Sequence, residues 1–131
     1  MEPREHLTRI DELFTRACLI LKVSGLAWRP MQGRTAPLNT AKNYSLAYTN
    51  LRTGLITLDI FTPRRRQPKS FNGLLRVLAH EIAHRQKPPY RQRYRGRWIT
   101  RTHFPKFYTQ VNKNIERFKA DPILGSYFEK L

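Results

Sequence analysis

The segment from Phe71 to Lys87 constrains the fold most, because its pattern is that of one helix with two different faces. Its apolar residues recur at helical spacing and predict a side that faces a core. They are Phe71, Leu74, Leu75, Leu78 and Ile82. Ser70 is a suitable N-cap, and two consecutive prolines end the segment. Such a helix needs other elements to cover its apolar face, so the chain must build a core around it.

The other face of this helix carries the sequence HEIAH, which is His80, Glu81 and His84. Histidines four residues apart lie one turn apart on one face, so both imidazoles can reach one Zn²⁺ ion. Glu81 follows His80 directly and can take a proton from water at the metal. The alternative is a pair of surface histidines beside a carboxylate. That alternative is weak, because the pattern rarely arises by chance in a chain with 4 histidines.

Catalytic zinc sites use three protein ligands and leave one position open. His103 is the preferred third ligand, because the segment that separates it from His84 is long enough to fold back to the metal. Glu116 is the second choice, and His6 is remote in sequence. The alternative for His103 is a histidine at a helix start that bonds only to backbone.

The remaining pattern predicts one α+β domain over residues 1–131, with the order helix, small antiparallel sheet, zinc helix, helix. The expected elements are a helix over 6–23, a strand over 26–31, a polar loop over 32–43, and a hairpin of strands 44–50 and 55–61. A last helix begins at Pro105 and ends at Asp121. Its expected apolar stripe is Phe107, Tyr108, Val111, Ile115 and Phe118. Residues 88–102 have no clear period and are expected to form a loop, and Cys18 is expected in the core.

Three segments together resemble the SprT-like metallopeptidases and, equally, the related WLM group. They are TGLITLDIFTPR, LLRVLAHEIAH and THFPKFYTQVNKNIERF, within about residues 50–118. Gly54, Ile56 and Leu58 match a strand of G-V-I-R-L type; His80, Glu81 and His84 match the zinc helix; His103, Pro105 and Phe107 match an H-G-P-E-F segment. The HExxH part is shared by many zincins, and its combination with H-x-P-x-F is more specific. Here Phe104 and Lys106 replace the glycine and the acidic residue of that segment, and no cysteine zinc ribbon follows.

The resemblance implies a minimal zincin-like domain and a zinc-dependent endopeptidase that acts on DNA-bound or DNA-crosslinked proteins. In the expected mechanism His80, His84 and His103 hold Zn²⁺, and Glu81 is the general base. The strand over residues 55–61 is expected to bind the backbone of the protein substrate as an added strand. The sequence does not rank the candidates for stabilising the oxyanion, which are Tyr94, Arg101 and Tyr108.

The net charge of +16 predicts a polyanionic partner. Nucleic acid is the commonest such partner, and an anionic membrane surface or an acidic protein comes next. The expected nucleic-acid contacts are Arg64, Arg65, Arg66, Arg91, Arg93, Arg95, Arg97, Arg101, Tyr90, Tyr94 and Trp98. Alternation of arginines with aromatic rings favours single-stranded DNA. The alternative is that Tyr94 and Trp98 pack on the core and the arginines are only solvated.

The chain has no signal-peptide pattern, no membrane-length apolar run and 1 cysteine, so we expect an intracellular protein with no membrane association. A nuclear or nucleoid-associated location, or a viral origin, fits its charge. The main alternative function is a non-proteolytic nucleic-acid-binding protein on a zincin scaffold. A zinc hydrolase acting on nucleic acid is a weaker alternative, because one HExxH site holds one metal and many nucleases use two. The natural substrate and the oligomeric state do not follow from the sequence.

Overall fold

The computed structural model describes residues 2–33, 37–38 and 45–129. These residues form three long helices and two small sheets, so the predicted α+β class is confirmed. The elements are α1 (Pro3–Leu21), β1 (Ala27–Pro30), β2 (Ala47–Asn50), β3 (Leu55–Leu58), α2 (Phe71–Gln86), β4 (Tyr90–Tyr94), β5 (Arg97–Arg101), α3 (Pro105–Ala120) and a 3-10 helix (Leu124–Phe128). No helix of the described chain is long and apolar enough to cross a lipid bilayer.

Helix α2 occupies the centre of the fold and packs against α1, α3 and β2. Its predicted apolar face is buried, with Leu75, Leu78 and Ile82 fully removed from solvent. The predicted N-cap is also present, because the amide of Gly73 donates to Ser70 Oγ at 3.1 Å. Cys18 on α1 packs against the same core, and burial raises the pKa of its thiol to about 11. Helix α2 is therefore held by the core on one face, and the face that carries His80 and His84 is only partly buried.

The three-stranded sheet has the order β1-β3-β2, and it is mixed rather than antiparallel as predicted. Strand β1 pairs with β3 in parallel, whereas β2 and β3 form the expected antiparallel hairpin. The turn of that hairpin ends at Gly54, which has a φ of +78° and approaches the carbonyl oxygen of Gly25 too closely to admit a Cβ. The start of the predicted strand 44–50 and most of the predicted loop 32–43 lie outside the described residues.

Residues 88–102 were expected to form a loop, and that expectation is wrong. Strands β4 and β5 pair as an antiparallel hairpin in register from Tyr90 with Arg101 to Tyr94 with Arg97. Arg95 and Gly96 form its two-residue turn with φ values of +50° and +80°, as a type I′ turn requires. Every residue of β4 is exposed, so the alternating hydrophobic pattern that marks a half-buried strand was missing.

Helix α3 begins at Pro105 and is capped at its end by Asp121, as predicted. The predicted apolar stripe needs one correction, because Tyr108 is half exposed while Asn114 is fully buried. Asn114 Nδ2 donates to the carbonyl of Ala79 at 3.0 Å and to Gln86 Oε1 at 2.7 Å. A polar side chain thus ties α3 to α2 inside the fold, and its buried amide group is satisfied by these bonds.

Candidate metal centre

Three histidines from two elements meet at one end of the cleft beside α2. His80 and His84 lie on successive turns of α2 with ring centroids 5.0 Å apart. His103 precedes α3, and its ring centroid lies 5.3 Å from that of His80 and 4.9 Å from that of His84. One nitrogen from each ring falls within 4.8 Å of the other two. The three histidines that the sequence selected are therefore close enough to bind one metal ion.

Phe107 forms the floor beneath the three imidazoles. Its ring is completely buried and lies 5.0 Å from His80, 4.5 Å from His84 and 5.2 Å from His103, measured between centroids. The contact follows from the sequence, because Pro105 starts α3 two residues after His103 and so places Phe107 in the first turn of this helix. The packing of one rigid ring against all three imidazoles limits their rotation and so preorganises the donor set.

Glu81 points away from the core interior and toward strand β2. The hydroxyl of Thr49 donates to Glu81 Oε1 at 2.8 Å. Burial raises the pKa of this carboxyl group, and the hydrogen bond from Thr49 opposes the increase. The pair joins α2 to the edge of the sheet and fixes the carboxylate beside the histidine cluster.

The electrostatics of the cluster favour uncharged imidazoles. Burial lowers the pKa of His84 to about 4, and the nearby His80 and His103 act in the same direction. Burial and His103 also lower the pKa of His80. Neutral imidazole nitrogens are the form that a metal ion binds, and no proton has to be displaced from them at neutral pH. Three imidazoles are a donor set that proteins use to hold a divalent metal ion, and the Glu81 carboxylate lies beside them.

A cavity of about 660 Å³ opens over the histidines and Glu81. Its lining includes Leu46 and, in strand β2, Tyr48 and Thr49, together with Arg76 and Val77 of α2. Strand β2 is at the edge of its sheet, and among the described residues it pairs only with β3. Strand β3 lies between β1 and β2, so the prediction that residues 55–61 receive a substrate strand is wrong. The edge that borders the cavity is β2.

The two other candidates for the third ligand lie elsewhere. Glu116 is exposed on α3 and accepts a hydrogen bond from Lys119 at 3.4 Å. His6 is buried in α1, where its Nε2 lies 3.0 Å from the carbonyl oxygen of Lys69. Within the described ranges, neither residue joins the cluster.

None of the predicted oxyanion candidates lines the cavity. Tyr94 and Arg101 belong to the β4–β5 hairpin, and Tyr108 stacks on His103 with ring centroids 6.1 Å apart. The cavity instead contains Arg76 and Tyr48, which sequence reasoning missed. The position of Arg76, four residues before His80 on the same helix, was the available clue, since this spacing places both on one face.

The predicted nucleic-acid residues divide into exposed and buried sets. Arg64 and Arg65 are exposed, but Arg66 is not available to a phosphate. Its guanidinium group donates to both oxygens of Asp59, at 2.9 and 3.0 Å, and the two side chains are 9% and 1% exposed. Arg66 therefore stabilises the loop after β3, and the prediction that it contacts nucleic acid is wrong.

The β4–β5 hairpin holds the other predicted contacts. Arg91, Arg93, Arg95 and Arg97 are exposed, and Arg101 is partly buried. Trp98 is 57% exposed, and Tyr90 and Tyr94 are each 45% exposed. The alternative in which Tyr94 and Trp98 pack on the core is therefore wrong.

Comparison with known proteins gave no match to this chain among protein-family models, curated protein sequences or solved structures.

Proposed function

We propose that this protein is a zinc-dependent endopeptidase of SprT-like type. The observation that carries the proposal is the convergence of His80, His84 and His103 beside Glu81 in one open cavity. The resemblance of three sequence segments to the SprT-like and WLM peptidases supports the same conclusion. Zn²⁺ suits an all-imidazole donor set of this size and tolerates an open coordination position.

The chain's own groups then have distinct roles. His80, His84 and His103 would hold the zinc ion, which when bound would supply polarisation of the scissile carbonyl and activation of water. Glu81 accepts the proton of the attacking water and returns it to the leaving amine. Thr49 holds the Glu81 carboxylate in place through its 2.8 Å hydrogen bond. Arg76 lines the cavity and is our candidate for stabilising negative charge on the substrate.

The substrate backbone binds along β2. Ala47–Asn50 is an edge strand beside the cavity, and an extended peptide can add to its outer side through main-chain hydrogen bonds. The apolar side chains that line the same cavity, such as Leu46 and Val77, offer contacts for alternate side chains of that peptide. An edge strand binds any extended peptide through main-chain hydrogen bonds and does not require one particular side chain. We therefore propose unfolded or flexible protein segments as substrates.

The charge distribution favours protein substrates that are bound to DNA. There is no acidic residue from Ile82 to Ile115, while the same stretch holds Arg85, Lys87, Arg91, Arg93, Arg95, Arg97, Arg101, Lys106 and Lys113. This stretch borders the cavity through Pro89, Thr102 and His103. DNA held there would bring its bound proteins to the cleft. A nuclear or nucleoid-associated location follows from the same proposal.

A second candidate function is nucleic-acid binding without proteolysis, with the histidine cluster serving structure only. The exposed arginines and aromatic rings of the hairpin favour it. The two functions differ in whether Glu81 matters, because a binder needs no general base.

The test is proteolysis of a basic protein bound to single-stranded DNA, with Zn²⁺ present. Wild type, Glu81→Gln and Glu116→Gln are compared, and metal content is measured for each. We expect wild type and Glu116→Gln to cleave, and Glu81→Gln to retain metal but lose at least about a hundredfold in rate. Equal cleavage by Glu81→Gln would remove Glu81 as the base. Absence of cleavage by all three, with metal and DNA bound, would favour the second candidate.

A further inference from the structure

The two faces of the β4–β5 hairpin differ in what they contact. Opposite residues of an antiparallel pair share a face, so the register assigns each side chain to one of two sets. We name as the outer face the pairs Arg91 with Thr100 and Arg93 with Trp98. The inner face consists of the pairs Tyr90 with Arg101, Gln92 with Ile99, and Tyr94 with Arg97.

Contacts within the protein occupy part of the inner face, although Tyr90, Gln92, Tyr94 and Arg97 remain exposed. The ring of Tyr90 meets that of Phe104 edge to face, with centroids 4.9 Å apart. Arg101 Nε donates to Gln92 Oε1 at 3.0 Å, and the guanidinium group of Arg101 lies over Tyr94 at 5.6 Å. Ile99 and Arg101 are also the least exposed residues of the hairpin. The Tyr90–Phe104 contact joins the base of the hairpin to the start of α3, and the contacts of Arg101 tie β5 to β4.

The outer face is exposed at all four of its residues. Trp98 is the most exposed aromatic residue of the hairpin, and the guanidinium group of Arg91 lies 5.7 Å from its ring centroid. Arg93 is directly opposite Trp98 across the two strands. A large ring with one guanidinium group over it and a second arginine on the opposite strand combines a surface for stacking with two charges for phosphates.

We propose that the outer face binds single-stranded nucleic acid, with Trp98 stacking on an unpaired base and Arg91 and Arg93 contacting the adjacent phosphates. A single strand offers the open base face that Trp98 needs, whereas the bases of a duplex are stacked on each other. The stretch without acidic residues around the hairpin supplies the charge complementarity. An acidic protein would satisfy the arginines but offers no base for the ring.

The position of the hairpin connects this surface to the cavity. Pro89 precedes β4, Thr102 and His103 follow β5, and all three line the cavity. The base of the hairpin therefore borders the cavity, and the outer face lies on the same hairpin. The inference deepens the nucleic-acid part of the proposed function and rests on it, but it does not depend on peptide hydrolysis.

The test measures binding of a fluorescent oligothymidylate by anisotropy over a salt series, using the full chain. Two matched pairs separate the faces, since each pair makes the same chemical change: Trp98→Ala against Tyr94→Ala, and Arg93→Gln against Arg97→Gln. We expect Trp98→Ala to weaken binding by about tenfold and Tyr94→Ala by less than about twofold. Arg93→Gln should weaken binding and lower the slope of log affinity against log salt concentration by about 0.7, whereas Arg97→Gln should lower that slope by less than half as much. Circular dichroism and thermal melting confirm that all four variants fold.

Three outcomes would overturn the inference. The first is equal loss for Trp98→Ala and Tyr94→Ala, which would mean that the faces do not differ. The second is tighter binding of a duplex of the same length, with no effect of Trp98→Ala. The third is Trp98-dependent binding to vesicles that contain phosphatidylserine, with oligothymidylate binding unaffected by Trp98→Ala, which would identify a membrane surface. If oligothymidylate binding depends on Trp98 and no proteolysis is detected, the result would support this inference. It would count only against the proposed endopeptidase function.

Discussion

At the scale of single residues, the hydrogen bond from Thr49 to Glu81 has the most direct chemical consequence. It crosses from the sheet to α2 and orients Glu81, the only carboxylate among the described residues that line the cavity. The sequence does not predict this hydrogen bond, because 32 positions separate Thr49 from Glu81. In the proposed mechanism the side chain of Thr49 is a positioning group, since its hydroxyl bonds to the Glu81 carboxylate.

We predict that Thr49→Val, which keeps the shape and removes the hydroxyl, lowers kcat by about tenfold. The KM and the affinity for Zn²⁺ should change little, because the histidines and the strand edge remain. Steady-state kinetics and competition with a zinc chelator measure these quantities. Thr49→Ser keeps the hydroxyl and should restore most of the rate. A similar loss in Thr49→Ser would show that packing rather than the hydrogen bond is responsible.

At the scale of elements, the β4–β5 hairpin depends on its turn more than on a core. Its strands pair with each other, and Gly96 at the turn has a φ of +80° with no atom within 4 Å of the position that a Cβ would take. A substitution there meets no steric clash but strains the backbone. The effect of a side chain at this position is thereby confined to the conformation of the turn.

We predict that Gly96→Val destabilises the hairpin by about 1–2 kcal/mol and leaves the rest of the fold intact. Hydrogen exchange should become faster in β4 and β5 and stay unchanged in α2. Thr100→Val, within β5 but away from the turn, is the control and should not open the hairpin. Faster exchange throughout the chain in Gly96→Val would contradict the independence of this element.

The end of α3 is joined to α1 by an ion pair. Arg16 donates to both carboxylate oxygens of Asp121, at 2.6 and 3.2 Å, and the amides of Ile123 and Leu124 donate to Asp121 Oδ2 at 3.0 Å each. The hydrogen bond from Arg16 lowers the pKa of Asp121; burial opposes it, and the two amides add to the lowering. Because the folded-state pKa is depressed, this contribution to stability is present above the unfolded-state pKa and is lost as pH falls through the folded-state pKa.

We predict that Asp121→Asn reduces the free energy of unfolding at neutral pH. The difference from wild type should shrink as pH falls below about 4. Urea unfolding followed by circular dichroism at several pH values provides the measurement. Glu116→Gln removes one exposed carboxylate of the same helix and is the control. A difference for Asp121→Asn that stays constant down to low pH would mean that the ion pair does not govern acid stability.

At the scale of the whole molecule, metal binding should stabilise the fold because it joins α2 to the segment before α3. A ligand that binds only the folded state stabilises it by about 2.7 kcal/mol at one hundred times its Kd. We predict a higher Tm with Zn²⁺ and a lower Tm after chelation, by several degrees in each case. His103→Ala should remove the zinc-dependent increase, and Mg²⁺ should not replace Zn²⁺. An unchanged Tm with Zn²⁺ would contradict a site formed by these three histidines.

The parts of this molecule that local pattern determines were predictable from its sequence. The spacing of His80 and His84, the N-cap at Ser70 and the start of α3 at Pro105 each depend on neighbours within one or two turns. Strand order depends on tertiary pairing, so the edge position of β2 did not follow from the sequence. The burial of Arg66 against Asp59 and the exposed hairpin were missed for a similar reason, because composition alone does not tell a buried arginine from an exposed one.

The connection between β5 and α3 has a mechanical consequence. His103 lies two residues beyond the last residue of a ribbon of five-residue strands, about 16 Å long at the usual rise per residue. The ring contact between Tyr90 and Phe104 holds the base of this ribbon against the start of α3, so the ribbon would rotate about this contact. A lateral force on the Arg95-Gly96 tip would exert a torque about this contact. The imidazole of His103 lies near the contact, on the side away from the tip. A load carried by the ribbon is thus transmitted to the geometry of the histidine cluster.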